Sequence, residues 1–219
     1  MRREFEVLNN IFGYRDFRKG QQEVIDKILN GKDVFCILPT GGGKSLCYEI
    51  PAYIFKGTTL VISPLISLMK DQVDNLNSLG INAAYISGGN DFEEVKNIIR
   101  KFIKGEFKLL YVSPERLENK YFLDNIEKAN IAQIVVDEAH CVSMWGHDFR
   151  KSYSKIKPFI CNLKKRPIIT AFTATATEIV MKDSIELLGL HNPFIYKGSF
   201  SRDNLEINVL KEVDKLEII

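Results

Sequence analysis

The sequence predicts an α/β fold, a mostly parallel sheet flanked by helices on both faces. Two observations carry that prediction. Short apolar runs alternate with longer amphipathic runs along the whole chain. A glycine-rich turn, Leu38-Pro-Thr-Gly-Gly-Gly-Lys-Ser45, also sits between an apolar run and an amphipathic one. Short strands separated by helices imply right-handed strand–helix–strand units. Such sheets gather their ligands at the carboxyl ends of the strands.

Taken in order, Gln21–Leu29 carries Val24, Ile25, Ile28 and Leu29 on one face and stops at Asn30-Gly31, as a helix does. Val34–Leu38 reads as a buried strand, and Leu46–Phe55 as the helix after the glycine turn. Further strands are expected at Thr59–Ile62, Ala83–Ile86, Lys108–Val112, Ile131–Val136 and Pro167–Phe172. Leu65–Leu79 and Phe92–Ile103 both repeat apolar residues at the helical period. Ser63-Pro64 and Ser113-Pro114 each place a capping hydroxyl before a proline suited to a first helical turn. Gly80, Gly105 and Gly189 fall where helices should stop. Lys44, Ser63, Ser113, Asp137 and Thr173 each follow a predicted strand, so they should converge on one edge of the sheet.

At 219 residues, with 45% hydrophobic and 26% charged residues, the chain has the composition of a globular protein with a full core. Its net charge of +2 is too small to argue for nucleic acid, so any such binding must come from a local face. Cys36, Cys47, Cys141 and Cys161 are widely spaced with no C-x₂-C pair, which reads as free thiols in a reducing compartment and no zinc site in this segment. Met1-Arg-Arg-Glu-Phe-Glu has no apolar signal core, and no apolar run is long enough to span a bilayer. The expected location is the cytoplasm, near the nucleoid if the source is bacterial.

The glycine turn has the layout of a phosphate-binding loop. Gly41, Gly42 and Gly43 let the backbone wrap an anion, and the N–H groups at the helix start point toward it. Thr40 opens that wrap, Lys44 would reach the β and γ phosphates, and the Ser45 hydroxyl would hold Mg²⁺. Leu38 stands where the consensus has its first glycine. Ile134-Val-Val-Asp-Glu-Ala-His140 is the second signal, an apolar strand ending in two carboxylates. Asp137 would hold Mg²⁺ through its water shell, and Glu138 would orient or deprotonate an attacking water. Together the two motifs point to ATP with Mg²⁺.

Thr40-Gly-Gly-Gly-Lys-Ser45, Asp137-Glu-Ala-His140 and Thr173-Ala-Thr175 resemble the superfamily 2 helicases, whose motor lobes are RecA-like. Phe17-Arg-Lys-Gly-Gln21, Ser63–Gln72, Ser113-Pro-Glu-Arg-Leu117 and Asp137–Arg150 narrow the resemblance to the RecQ-type DNA helicases. It covers nearly the whole chain. A non-glycine residue at the position of Leu38 is tolerated in that family.

The resemblance implies that Tyr14, Arg18 and Gln21 recognise adenine, which fits an aromatic face and a two-sided amide. Lys44, Asp137, Glu138 and His140 would be the catalytic set, with His140 linking the ATP site to its neighbours. Val142–Arg150 resembles an aromatic-rich loop that senses single-stranded DNA; Trp145, His147, Phe149 and Arg150 would stack on or pair with it. A lone tryptophan is ordinarily a core residue, but this one is flanked by polar residues. Ser63, Lys70, Ser113 and Arg116 would contact the DNA backbone, and Thr173 and Thr175 would couple hydrolysis to movement.

The expected function is therefore the first motor lobe of an enzyme acting on single-stranded and duplex DNA, with a non-enzymatic nucleotide- or DNA-binding regulator as the alternative. Residues 1–197 would form this lobe, and 198–219 would begin the linker into a second RecA-like lobe missing from the chain. Ser199–Leu205 resembles the opening of that lobe. Without the arginine finger it carries, the chain alone should be largely inactive.

Overall fold

The computed structural model describes residues 2–198. The seven strands are β1 (Val34–Ile37), β2 (Thr58–Ile62), β3 (Ala83–Ile86), β4 (Leu109–Val112), β5 (Ile131–Val136), β6 (Ile168–Thr173) and β7 (Phe194–Lys197). The helices are α1 (Arg3–Asn10), α2 (Gln21–Leu29), α3 (Lys44–Ile54), α4 (Ile66–Ser78), α5 (Phe92–Ile103), α6 (Lys120–Ile126), α7 (Ile156–Asn162) and α8 (Glu178–Leu188). All strand pairs are parallel, in the order β3-β4-β2-β5-β6-β1-β7.

β1, β2 and β4 are buried along their whole length, and β5 and β6 at all but one residue each, as a parallel sheet covered on both sides requires. One face packs Leu60, Ile62, Ile134 and Val136 against Ile99, Phe122, Tyr153 and Phe159. The other packs Val34, Cys36, Val61 and Val135 against Val24, Tyr48, Met69 and Leu76. Each face thus takes alternate residues of the same strand, as the two-residue period dictates. Among the described residues no helix is long and apolar enough to cross a membrane.

The six expected strands are present within a residue or two, but α1, α6, α7 and β7 were not foreseen. β7 is a four-residue edge strand beside β1 whose side chains are only partly covered, so it lacks the apolar run of a central strand. α1 is short, has no side-chain cap, and buries Val7 and Leu8 against Ile25 and Ile50.

Two cap expectations need correction. Ser63 does not cap a helix: α4 starts three residues later with Leu65 as its cap residue, and the Ser63 hydroxyl turns inward. Ser113-Pro114 opens a 3₁₀ turn, Pro114–Glu118, rather than an α-helix. Gly189 does terminate α8 in the left-handed conformation. The segment 198–219, with Ser199–Leu205, lies outside the described residues apart from Gly198.

Candidate nucleotide site and coupling loop

The glycine turn leaves β1 and enters α3 at Lys44. Gly41 and Gly43 both have positive φ, 76° and 81°, which a side chain would strain. A Cβ on Gly43 would also lie 2.2 Å from Gln21 Nε2, and one on Gly42 would lie 2.8 Å from Pro39 O. The loop is therefore held close by its surroundings as well as bent. Leu38 does not face it: the side chain is buried in the apolar cluster, and its N–H donates to Thr173 O at 3.1 Å. That explains how a leucine replaces the consensus glycine.

A cleft of about 500 Å³ opens over this loop. Tyr14, Arg18, Gln21, Thr40, Gly41, Gly43, Lys44, Ser45, Asp137 and Glu138 all line it. Tyr14 is 52% exposed, a free aromatic face rather than a core residue. Gln21 is 1% exposed and already engaged twice. Its Nε2 donates to Gly43 O at 3.0 Å, and its Oε1 accepts from Arg18 N at 2.8 Å. The amide keeps one N–H and one lone pair for a base. The Arg18 guanidinium donates to Gly41 O. Arg18 and Gln21 thus brace the phosphate loop as well as bordering the cleft.

Asp137 directly follows β5 and is almost fully buried. Burial pushes its carboxyl above the ordinary range and the neighbouring Glu138 adds to this, while Lys44 and the Ser63 hydroxyl pull it back. Ser63 Oγ donates to Asp137 Oδ2 at 3.2 Å. Ser63 is therefore a buried cleft residue whose hydroxyl serves the carboxylate. Tyr153, unforeseen from the sequence, donates its hydroxyl to Asp137 O at 2.8 Å from the far side. Glu138 has φ 47° and ψ 47°, left-handed values that cost a non-glycine residue on the order of 1–2 kcal/mol. This kink begins the 3₁₀ turn Ala139–Val142.

His140 Nδ1 lies 2.7 Å from Thr173 Oγ1 and 3.4 Å from Glu138 Oε2. Thr173 Oγ1 donates in turn to Thr175 O at 3.0 Å. The threonine proton being so committed, Nδ1 carries the proton of a neutral imidazole; burial first, then His147, hold His140 below its usual pKa. Thr173 is buried, whereas Thr175 is exposed.

Beyond this link the chain swings out. Trp145 is 75% exposed, and Met144 and Phe149 are exposed beside it. The His147 ring stacks on His140 with centroids 4.8 Å apart. Arg150 pairs with Asp148 at 3.2 Å, and its N–H donates to Cys141 O at 2.9 Å. Lys70 is exposed on α4. Ser113 is half-buried, and Arg116 donates to Ser87 O at 2.9 Å. These last three lie outside the cleft.

Two further cleft residues escaped the sequence reading. Glu49, on α3, is fully buried with its Oε1 lacking any protein partner, and burial raises its carboxyl to about 8. Tyr111, on β4, is buried beside it, and its hydroxyl also lacks a protein partner. Nothing in their spacing distinguishes them from ordinary helix and strand residues.

The DEAD/DEAH box helicase family model matches residues 18–183. The chain is 46% identical over 97% of its length to the ATP-dependent DNA helicase RecQ of Pasteurella multocida. It is 44% identical over 98% of its length to the ATP-dependent DNA helicase RecQ of Bacillus subtilis. It spans about a third of the length of each, 33% and 36%. A hypothetical ATP-dependent RNA helicase from Sulfolobus tokodaii shares the fold, with a TM-score of 0.70 at 22% identity over 90% of this chain and 57% of that one.

Proposed function

As the chain belongs to the DEAD/DEAH box helicase family, we propose that it is the ATP-binding motor lobe of a RecQ-type DNA helicase. In this reading it couples ATP hydrolysis to movement along single-stranded DNA and unwinding of duplex DNA. The observation that carries the reading is the single cleft joining Lys44 and Ser45 to Asp137 and Glu138, with His140 leading out of it to Thr173.

The loop N–H groups and Lys44 hold the β and γ phosphates, and Tyr14 stacks on adenine. The donor set fits Mg²⁺: a serine hydroxyl and a buried carboxylate, Ser45 and Asp137, are hard oxygen ligands, and a cation would relieve the crowding of two adjacent carboxyls. When bound, Mg²⁺ would neutralise charge on the phosphate oxygens. Glu138 orients the attacking water and takes its proton. Loss of the γ phosphate is felt by the Glu138–His140–Thr173 chain, which passes it to Thr175 at the surface. Trp145 and Phe149 offer exposed faces for bases, and Arg150 offers a charge for the backbone. Lys70, Ser113 and Arg116 extend that track. The relatives are about three times longer, and in this reading a second lobe supplies an arginine worth ~10³–10⁵ in rate.

Equilibrium binding of a fluorescent ATP analogue with Mg²⁺ tests the assignment. Lys44→Ala should abolish binding; tight binding by that variant refutes it.

A further inference from the structure

Cysteine spacing gave no reason to expect a metal, yet the fold brings one cysteine together with two other ligand types. His140, Cys141 and Asp148 each present a ligand atom, and all three atoms lie within 4.8 Å of one another. Cys141 Sγ is 3.7 Å from His140 Nε2 and 3.6 Å from Asp148 Oδ2. Zinc bond lengths of about 2.3 Å to sulfur and 2.0–2.2 Å to nitrogen and oxygen place tetrahedral ligand atoms roughly 3.3–3.6 Å apart. Two edges of such a tetrahedron are thus nearly formed.

The imidazole is also set up as a ligand. Thr173 holds its Nδ1–H, which leaves the Nε2 lone pair facing the thiol. Metal-bound histidines are oriented in just this way by a partner on the other nitrogen. His140 and Cys141 are buried and fixed, while Asp148 is exposed on the loop that carries Trp145. The set is therefore open to solvent on one side, where water can complete the coordination.

We propose that His140, Cys141 and Asp148 form a binding site for a thiophilic divalent cation, with Zn²⁺ the best-fitting ion. On binding, the Cys141 S–H bond breaks and its proton goes to solvent. Asp148 exchanges the Arg150 guanidinium for the metal, and nothing is oxidised or reduced. Because binding releases a proton, it grows more favourable as pH rises. The bound ion fastens the Trp145 loop to the His140–Thr173 link and sets Arg150 free. The metal site stands on its own geometry; the consequence for coupling rests on the function proposed above.

Cobalt(II) is the probe, because thiolate coordination gives it an intense near-ultraviolet charge-transfer band. Titrating the 219-residue chain with Co²⁺ should produce that band, and Zn²⁺ but not Mg²⁺ should bleach it. Cys141→Ser should lose the band, and Cys161→Ser should keep it. Asp148→Asn, at an exposed position that cannot disturb the core, should weaken binding by about 10- to 100-fold, a loss typical even of an outer-shell partner. Absence of the band in the parent chain, its survival in Cys141→Ser, or unchanged affinity in Asp148→Asn would each overturn the proposal. Retained nucleotide binding alongside any of these would leave the motor-lobe reading untouched.

Discussion

Glu49→Gln should stabilise this protein at neutral and alkaline pH and do almost nothing in mild acid. Glu49 is fully buried on α3, and desolvation alone raises its carboxyl from 4.5 to about 8. The native state therefore binds a proton that the unfolded state has released throughout that interval. Stability is complete below pH 4.5 and falls by about 1.4 kcal/mol per pH unit until the native group ionises near pH 8. At pH 7 the accumulated cost is about 3 kcal/mol. Glutamine matches the neutral acid in shape and never ionises, so it removes that cost. For a domain of this size about 3 kcal/mol corresponds to a rise in Tm of about 6–12 °C. The assay is a pair of thermal or urea melts, parent and variant, from pH 4.5 to 8.5. The two stability curves should nearly meet at the acid end and separate steadily toward the other. Parallel curves would show that the native carboxylate ionises normally and reaches water through the cleft, and the desolvation argument would fail.

Three other outcomes follow from the geometry. Glu138→Gln in the full-length protein should leave nucleotide binding intact and stop turnover, measured by steady-state ATP hydrolysis with single-stranded DNA; normal turnover would remove Glu138 from its role. Trp145→Ala should leave the fold unchanged, since the side chain is mostly exposed, while weakening DNA binding by about 1–3 kcal/mol in a fluorescence-anisotropy titration. Asp33→Ala should destabilise the lobe by about 3 kcal/mol in a urea melt. Its buried carboxylate pairs with Arg166 and accepts from the Ile169 and His191 N–H groups at 2.9 and 2.7 Å, so truncation leaves both N–H groups unpaired and takes the counter-charge from Arg166, which keeps only the Pro167 and Gly189 carbonyls.

The fold was legible because its strands are mostly apolar runs, β1 and β4 without interruption and β2, β5 and β6 broken only by buried threonines or a glutamine. β7 was not, because an edge strand with half-exposed side chains loses that signature. The phosphate loop and the carboxylate pair were readable because glycine and paired acids have few other reasons to follow a strand. Ser63 was misread for the opposite reason. Serine before proline is a cap signal, and only the neighbouring strand reveals that its hydroxyl serves Asp137. Tyr153, Glu49 and the His140–Cys141–Asp148 cluster depend on contacts between distant or differently oriented segments, which no local pattern records.

β6 lies between the strand that leads to the phosphate loop and the strand that ends in the carboxylates. Thr173, at its tip, therefore grips both. Its carbonyl accepts from Leu38 and its hydroxyl meets His140. The two grips use different atoms, one common to every residue and one particular to threonine. Replacing Thr173 by valine keeps the first and deletes the second. One substitution could in that way sever communication while leaving the loop anchored, yielding a lobe that fills with nucleotide yet no longer reports it.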